Sequence, residues 1–330
     1  MANEFKDKII LVTGGTGTIG SELVKQLLEY KPKQVRVFSR NDSSQYHLME
    51  SLGHPKNLRP LIGDIRDLER LKLAFENVDI VFHAAALKHV PICEYNPMEA
   101  VKTNILGSQN VITAAFYNHV KKVVAISTDK AVDPHNVMGV TKLMMEKLFL
   151  NTNFFSVGKT QFSCVRFGNV AWANGSVLSL WKRQIDENAC LNLTDGNMTR
   201  FLMSISQAVK LTLKAAKLSQ GGEIFIFKMP SIKLKDLAKL FITKYYPTKK
   251  IKINTIGLRP GEKLTEELFS TNDLKKQILA NDEMFILTPE MYFHNLNQEL
   301  QTYQGFHKVN HIEKYSSVNS INLKKIREII

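Results

Sequence analysis

Asp129 and Lys130 stand side by side after the apolar run KVVAIS, which ends at Ser127. A carboxylic acid and an amine at the end of a buried strand can give and take protons on one bound molecule, provided enclosure or local charge tunes both. Thr128 adds a hydroxyl beside them. Lys142 follows in the segment NVMGVTK, four residues after Met138. On a helix that spacing puts two side chains on one face, and a methionine cannot transfer a proton.

A second chemical stretch is TGGTGTIG, Thr13 to Gly20. Gly14, Gly17 and Gly20, with Thr16, Thr18 and Ile19 between them, follow a strand and open a helix. Glycines at this spacing permit a tight turn and let a diphosphate reach backbone N–H groups and the helix N-terminus. The next strand, QVRVF, ends in Ser39, Arg40 and Asn41. An NAD site usually sets Asp or Glu there for the ribose hydroxyls. Arg40 can instead pair with a 2′-phosphate and Ser39 can donate to it, so this stretch favours NADP over NAD. Asp64 and Ile65 after the third strand would flank the adenine. Ala84, Ala85 and Ala86 would allow close cofactor approach at the end of the fourth.

These residues need a frame, and the pattern supplies one. Strands are expected at 8–12, 34–38, within NLRPLIGDI, within DIVFHAA, within KVVAIS and within FSCVRF. Helices are expected between them, including one long helix from Pro97 to about Asn118 and another from Asn136 to about Asn151. Strands this continuously apolar, alternating with helices, predict an α/β Rossmann-type doubly wound parallel sheet covered on both faces. After Gly168 the pattern loosens. NLTDGNMTRF reads as a turn between short strands, 205–218 and KLKDLAKLFI as helices, GEIFIF as a buried strand returning at 222–227, and the KKIREII tail as a last helix. The expected division is a nucleotide-binding domain over 1–168 and a smaller, partly interwoven substrate domain over 169–330.

The chain of 330 residues is 44% hydrophobic, enough for one large domain or a large and a small one. Its net charge of +13 suits a solvated lysine-rich surface or a positive site for a small polyanion. No basic run is interleaved with aromatics, which argues against nucleic acid as partner. Cys93, Cys164 and Cys190 lack metal-ligand spacing, so no metal is expected and a reducing compartment fits. The polar MANEFKDK start, and apolar runs far below the roughly 18–20 residues of a spanning helix, lead us to expect a cytoplasmic chain with no membrane span.

The ordered set TGGTGTIG, GDIRD, HAAALKHVP, Asn104 in VKTNILGSQN, STDKAV, MGVTK, RFGNV, GSV, MTRF and RPGEK resembles the extended short-chain dehydrogenase/reductase superfamily. Within it, the chain is similar to the soluble UDP-N-acetylglucosamine 4,6-dehydratases of bacterial surface-sugar pathways, over most of its length. The resemblance implies a Rossmann domain with a sugar-nucleotide domain, tightly held NADP regenerated in each cycle, UDP-N-acetylglucosamine as substrate, and a homo-oligomer, hexamer or dimer.

It also implies a reaction. Carbon 4 is oxidised by hydride transfer, the ketone acidifies the carbon-5 proton, water leaves across carbons 5 and 6, and hydride returns to carbon 6. By resemblance Asp129 protonates the departing hydroxyl and Lys130 removes the carbon-5 proton. Lys142 binds the nicotinamide ribose. In the wider superfamily a tyrosine stands where this chain has Met138. That departure resembles a capsule-pathway branch of the dehydratases, which leans towards inversion of carbon 5. The carbon-4 proton then goes to Lys142, with Thr128 orienting the hydroxyl, or Lys130 serves both steps. Asn104 and Lys88 fall on the cofactor side, and Lys88 also reaches the sugar or its phosphates. Asn169 bonds a phosphate or ribose. Ser176 and Val177 begin a closing segment, and Thr199, Arg200, Arg259 and Glu262 contact the nucleotide. A UDP-sugar 4-epimerase is the alternative enzyme. It needs no acid–base pair at carbons 5 and 6, so Asp129 and Lys130 argue against it. A catalytically silent NADP-binding protein is the other alternative, and Met138 is its main argument.

Overall fold

The structure is a computed structural model that describes residues 3–155, 160–289, 302–310, 312 and 315–330. Six strands form in the first half: β1 (Ile9–Thr13), β2 (Gln34–Ser39), β3 (Leu58–Ile62), β4 (Ile80–His83), β5 (Lys122–Ile126) and β6 (Gln161–Arg166). They are nearly all apolar where the sheet is central, and β4 and β5 are buried almost throughout. Crossovers join them to parallel strands, neighbours in each case but one, since β3 leads back past β2 and β1 to β4, and such connections require intervening helices that cover both faces. Those helices are α1 (Thr18–Glu29), α2 (Asp42–Ser51), α3 (Leu68–Ala74), α4 (Val90–Tyr95), α5 (Pro97–Ala100), α6 (Gly107–Tyr117) and α7 (Val137–Phe155). Local chemistry fixes their starts: Asn41 caps α2 through Ser44 N–H, and Asp67 caps α3 through Arg70 N–H.

The later chain adds β7 (Asn169–Val170), α8 (Val177–Asn188), β8 (Cys190–Leu193), β9 (Thr199–Met203), α9 (Ile205–Leu218), β10 (Ile224–Phe227), β11 (Ser231–Lys233), α10 (Leu234–Tyr245), β12 (Lys252–Thr255), β13 (Ile278–Ala280), β14 (Met284–Leu287), β15 (His307–Lys308) and α11 (Leu323–Ile329). The large sheet runs β15-β13-β14-β10-β6-β5-β4-β1-β2-β3. It is parallel from β10 to β3, with the antiparallel strands β14, β13 and β15 at one edge. This is the doubly wound parallel sheet expected from the sequence, with a smaller subdomain beyond it. The subdomain holds a β11-β9-β7 sheet and a β12-β8 pair around a core that includes Trp181, Leu191, Leu237 and Phe241.

Two local expectations change. The long helix expected over 97–118 is divided: α5 and α6 are joined by a π-helical turn, Val101–Leu106. Asn104 sits in that turn and its amide grips both the N–H and the C=O of Leu87, at 2.8 and 2.9 Å. Helical periodicity does not register one widened turn. The strands around the NLTDG turn exist but do not pair with each other; β8 pairs with β12, and β9 pairs with β11 and β7. No described helix is long and apolar enough to cross a membrane.

Candidate active site

The C-terminal ends of β1, β2, β4, β5 and β6 open into one cavity of about 790 Å³ that continues under the smaller subdomain. This is the place where an open parallel sheet binds ligands, at the point where strand order reverses beside β1. The residues between Gly14 and Gly20 wall one end. Gly14 has φ +65°, and a Cβ there would lie 2.7 Å from the backbone of Ala85. The turn can therefore lie flat against the end of β4 only as glycine. The N-terminus of α1 faces the cavity with its first N–H groups unsatisfied within the helix.

The residues fit a dinucleotide. Ser39 Oγ, at the end of β2, is buried and has no hydrogen-bond partner among the described residues. Such an atom calls for a ligand oxygen. Arg40, Asn41, Asp64, Ile65, Ala84, Ala85 and Ala86 line the same end. Arg40 is not a free anchor, however. Its guanidinium lies 3.8 Å from Asp64, which Arg66 also holds at 2.7 Å.

The other end gathers the acidic and basic side chains. Thr128, Asp129 and Lys130 follow β5 and enter a single 3₁₀ turn, Asp129–Ala131. Gly139 on α7 packs on that turn so closely that a Cβ would fall 2.2 Å from the carbonyl of Lys130. Asp129 is buried, and its carboxylate accepts from Thr128 Oγ1 at 2.6 Å and from Lys130 Nζ at 3.1 Å. Lys130 Nζ also lies 3.4 Å from Asn169 Oδ1 and 3.5 Å from Glu266 Oε1. Glu266 is buried too. It accepts from both Asn169 Nδ2 and Phe201 N–H, and Arg200 Nε stands 3.2 Å from it.

The charges follow from these contacts. Burial and the neighbouring Asp129 charge push the Glu266 carboxyl up to about 7. Burial acts the same way on Asp129, but Lys130 and the hydrogen bonds from Glu266 and Thr128 outweigh it and hold the group below its ordinary value. Burial lowers Lys130, yet Asp129 and Glu266 leave it raised. Two buried carboxyl groups beside one amine compete for the same protons, which is why their acidities move in opposite directions.

Lys142 sits deeper. Its Nζ donates to the carbonyl of Ile126 at 2.6 Å and contacts Met145 Sδ at 3.0 Å. Burial lowers it to about 8. Met138, one turn before it on α7, packs with Cys93 and Ala100 and shows one edge to the cavity.

The remaining expected residues divide in two. Lys88, Asn169, Ser176, Val177, Arg200, Arg259 and Glu262 line the cavity. Lys88 Nζ donates to Asn174 O, and Asn174 N–H donates to Thr18 Oγ1, so the 173–176 segment bridges both halves of the cofactor end. Arg200 is committed within the chain, donating to Thr199 O and Lys263 O. Glu262 accepts from Arg259 N–H across its own turn. Asn104 and Thr199 do not reach the cavity: Asn104 braces the loop after β4, and Thr199 Oγ1 hydrogen-bonds Ser317. Glu266 is the residue that sequence reasoning missed. It follows RPGEK in KLTEEL, where nothing local separates it from a surface glutamate. Lys263 Nζ and Asn136 Nδ2 strap that segment to the 129–136 turn.

The sequence pattern of the family described as "Polysaccharide biosynthesis protein" matches residues 10–288. The chain is 48% identical over 272 residues to a UDP-N-acetylglucosamine 4,6-dehydratase (inverting) of Campylobacter jejuni, covering 82% of this chain and 79% of that protein. It is 40% identical over 333 residues to a UDP-glucose 4-epimerase of Rickettsia bellii, covering 99% and 96%. The solved structure of Pen from Bacillus thuringiensis superposes with a TM-score of 0.92 at 44% identity, over 99% of this chain and 98% of that one. The expected preference for NADP over NAD is corrected. DesIV, a dTDP-glucose 4,6-dehydratase of Streptomyces venezuelae, shares this fold (TM-score 0.70, 21% identity, 78% of this chain and 87% of that one) and was solved with NAD. The UDP-glucose 4-epimerase of Thermus thermophilus does too (TM-score 0.67, 21% identity, 77% and 88%). The physical reason for the misreading is the Asp64 contact, which already engages the arginine that the sequence alone assigns to a 2′-phosphate.

Proposed function

The chain belongs to the polysaccharide biosynthesis protein family, and from that premise we propose that it is an enzyme that oxidises carbon 4 of a UDP-sugar and then removes water across carbons 5 and 6. The substrate of this reading is UDP-N-acetylglucosamine and the product a 4-keto-6-deoxy sugar inverted at carbon 5. A bound nicotinamide dinucleotide supplies the hydride acceptor and donor. The observation that carries the reading is Lys130, held by one buried carboxyl at 3.1 Å and within 3.5 Å of a second. Elimination needs a base at carbon 5 and an acid at the carbon-6 oxygen in the same enclosure. Lys130 and Asp129 provide them. The glycine turn and the N-terminus of α1 hold the diphosphate of the cofactor, while Ser39 and Asp64 meet its adenosine end. Lys142 fixes the end of β5 through Ile126 and presents its amine to the nicotinamide ribose.

A second reading has its own support. The UDP-glucose 4-epimerase match spans 99% of the chain and the dehydratase match 82%, so likeness over the full length leans towards 4-epimerisation. That reaction uses only the carbon-4 chemistry and leaves Asp129 and Glu266 without a task at carbon 6. Incubation with UDP-N-acetylglucosamine and with UDP-glucose in deuterated water, followed by NMR, decides between them. A 4-keto-6-deoxy product carrying deuterium at carbon 5 supports dehydration, and its configuration reports inversion. A galacto isomer without deoxygenation would overturn dehydration in favour of epimerisation. No turnover of either sugar would remove both.

A further inference from the structure

We propose that Glu266 is the proton store of this site: through Lys130 it takes up the proton released from the carbon-4 hydroxyl, and through Asp129 it returns that proton to the oxygen leaving carbon 6. The inference rests on the dehydration reading above and answers a question that reading leaves open. Met138 cannot accept the carbon-4 proton, and the Lys142 amine is tied to Ile126 O and Met145 Sδ.

The geometry is that of a relay. Glu266 Oε1 lies 3.5 Å from Lys130 Nζ. Asp129 holds the same amine at 3.1 Å, so both acids meet one nitrogen. Two carboxyl groups that share one amine cannot both stay ionised once that amine loses its charge, because two carboxylates with no cation between them would repel. The charged groups facing Glu266 are Asp129 and Lys130 on the 3₁₀ turn and Arg200 on β9. Asn169 and the N–H of Phe201 hold it in place. Its value of about 7 leaves both forms accessible at neutral pH.

The protons balance. The starting trio holds one proton, which shifts from Lys130 to Asp129 as the sugar closes over the pair and leaves the amine neutral. When carbon 4 is oxidised, its O–H bond breaks and that proton passes to the amine and on to Glu266. The amine then takes the carbon-5 proton. A double bond forms between carbons 5 and 6, the carbon–oxygen bond at carbon 6 breaks, and Asp129 protonates the departing oxygen as water. Solvent delivers a proton to carbon 5 on the face opposite the amine, which inverts that carbon, the amine passes its own proton back to solvent, and carbon 6 gains the hydride that carbon 4 gave up. Glu266 finally reprotonates Asp129. One proton enters from the carbon-4 hydroxyl and one leaves in water. Glu266 acts through its two neighbours and never on the sugar.

The test mixes holoenzyme with UDP-N-acetylglucosamine in weak buffer containing a pH indicator, while the absorbance of reduced nicotinamide is followed. The wild type is expected to release no proton to solvent as the cofactor is reduced. Glu266→Gln should release a proton for each cofactor reduced, turn over about 100-fold more slowly, and lose the inflection near neutrality from its pH–rate profile. Glu266→Asp should recover that inflection in part. A proton burst from the wild type, or an unchanged profile and a silent indicator in Glu266→Gln, would overturn the proposal. If Glu266→Gln fails to fold, the wild-type trace alone decides. The two readings separate as well: a 6-deoxy product with a wild-type proton burst removes only the store, whereas a 4-epimer without a burst removes dehydration and leaves the uptake at Glu266 standing.

Discussion

Arg166 at the end of β6 and Lys130 just beyond β5 each lie between two acids, one of them on the segment that follows residue 262. Arg166 is almost wholly buried. It makes two bonds to Glu146, one of 2.7 Å, and reaches Asp273 at 2.8 Å and the carbonyl of Leu268 at 2.9 Å. Four of its five N–H donors are used, and the guanidinium cannot lose its proton. Asp273 is held below its ordinary value: burial opposes this, and Arg166 with the Ser270 hydrogen bonds outweighs it. Lys130 is 31% exposed on the cavity side, and its two acids stand 3.1 and 3.5 Å from its amine. The first cluster is a fixed joint between sheet and C-terminal segment. The second uses the same kinds of residues at contacts a few tenths of an ångström longer and open to the cavity, 3.1 and 3.5 Å against 2.7 and 2.8 Å. Completeness of pairing and exposure of the cation, not charge, separate the structural cluster from the one proposed to carry the chemistry.

The sharpest way to break this contrast is to remove each central cation. Lys130→Ala should cut product formation by about 10²–10⁴-fold, the range for loss of a positioned acid or base, while the melting temperature stays close to wild type. Arg166→Leu should do the reverse. It leaves Glu146 and Asp273 buried without a counter-charge, with Ser127 Oγ and Ser270 N–H still donating to them, and costs about 3–5 kcal/mol of stability, read as a shift in denaturant midpoint. Equal loss of stability in both variants would end the distinction.

A smaller effect lies in pH. Glu266 has its folded value raised to about 7 from an ordinary 4.5. Between those values the folded chain keeps a proton that the unfolded chain has lost, so stability falls as pH rises through the window. Asp273 has the opposite sign. Its contribution is fully present above the ordinary carboxylate range and disappears as pH falls through its depressed folded value. Thermal melts across both windows should show a decline towards neutrality that Glu266→Gln abolishes, and an acid limb that it leaves alone. A decline that survives the substitution would mean that another group carries it.

The sequence disclosed what is local. The glycine turn lies within a few residues and has one stereochemical reason, and Asp129 and Lys130 are adjacent. The alternation of strands gave the sheet because burial on both faces demands continuous apolar runs. What stayed hidden depends on contacts across the chain. Glu266 meets Lys130 over 136 residues, and its burial comes from β9 and the strapped 259–266 segment. The engagement of Arg40 depends on β2 and β3 lying side by side, which places Asp64 against it. The π-helical turn reflects the grip of Asn104 on Leu87, a tertiary contact without a periodic signature.

The mildest substitution tests the least obvious part of the contrast. Met138 occupies the one position near the cavity where a proton acceptor would be expected and none stands. If the chemical cluster carries all the proton traffic, this side chain only fills space beside Cys93 and Ala100. Met138→Leu keeps its volume and apolar character, and such exchanges usually cost less than about 1.5 kcal/mol. Turnover should therefore stay within about threefold of wild type, since a lost proton-transfer group would cost far more, and the pH–rate profile should keep its shape. A larger fall with an unchanged melting temperature would show that the sulfur edge orients the sugar, and the boundary of the chemical cluster would then have to include α7.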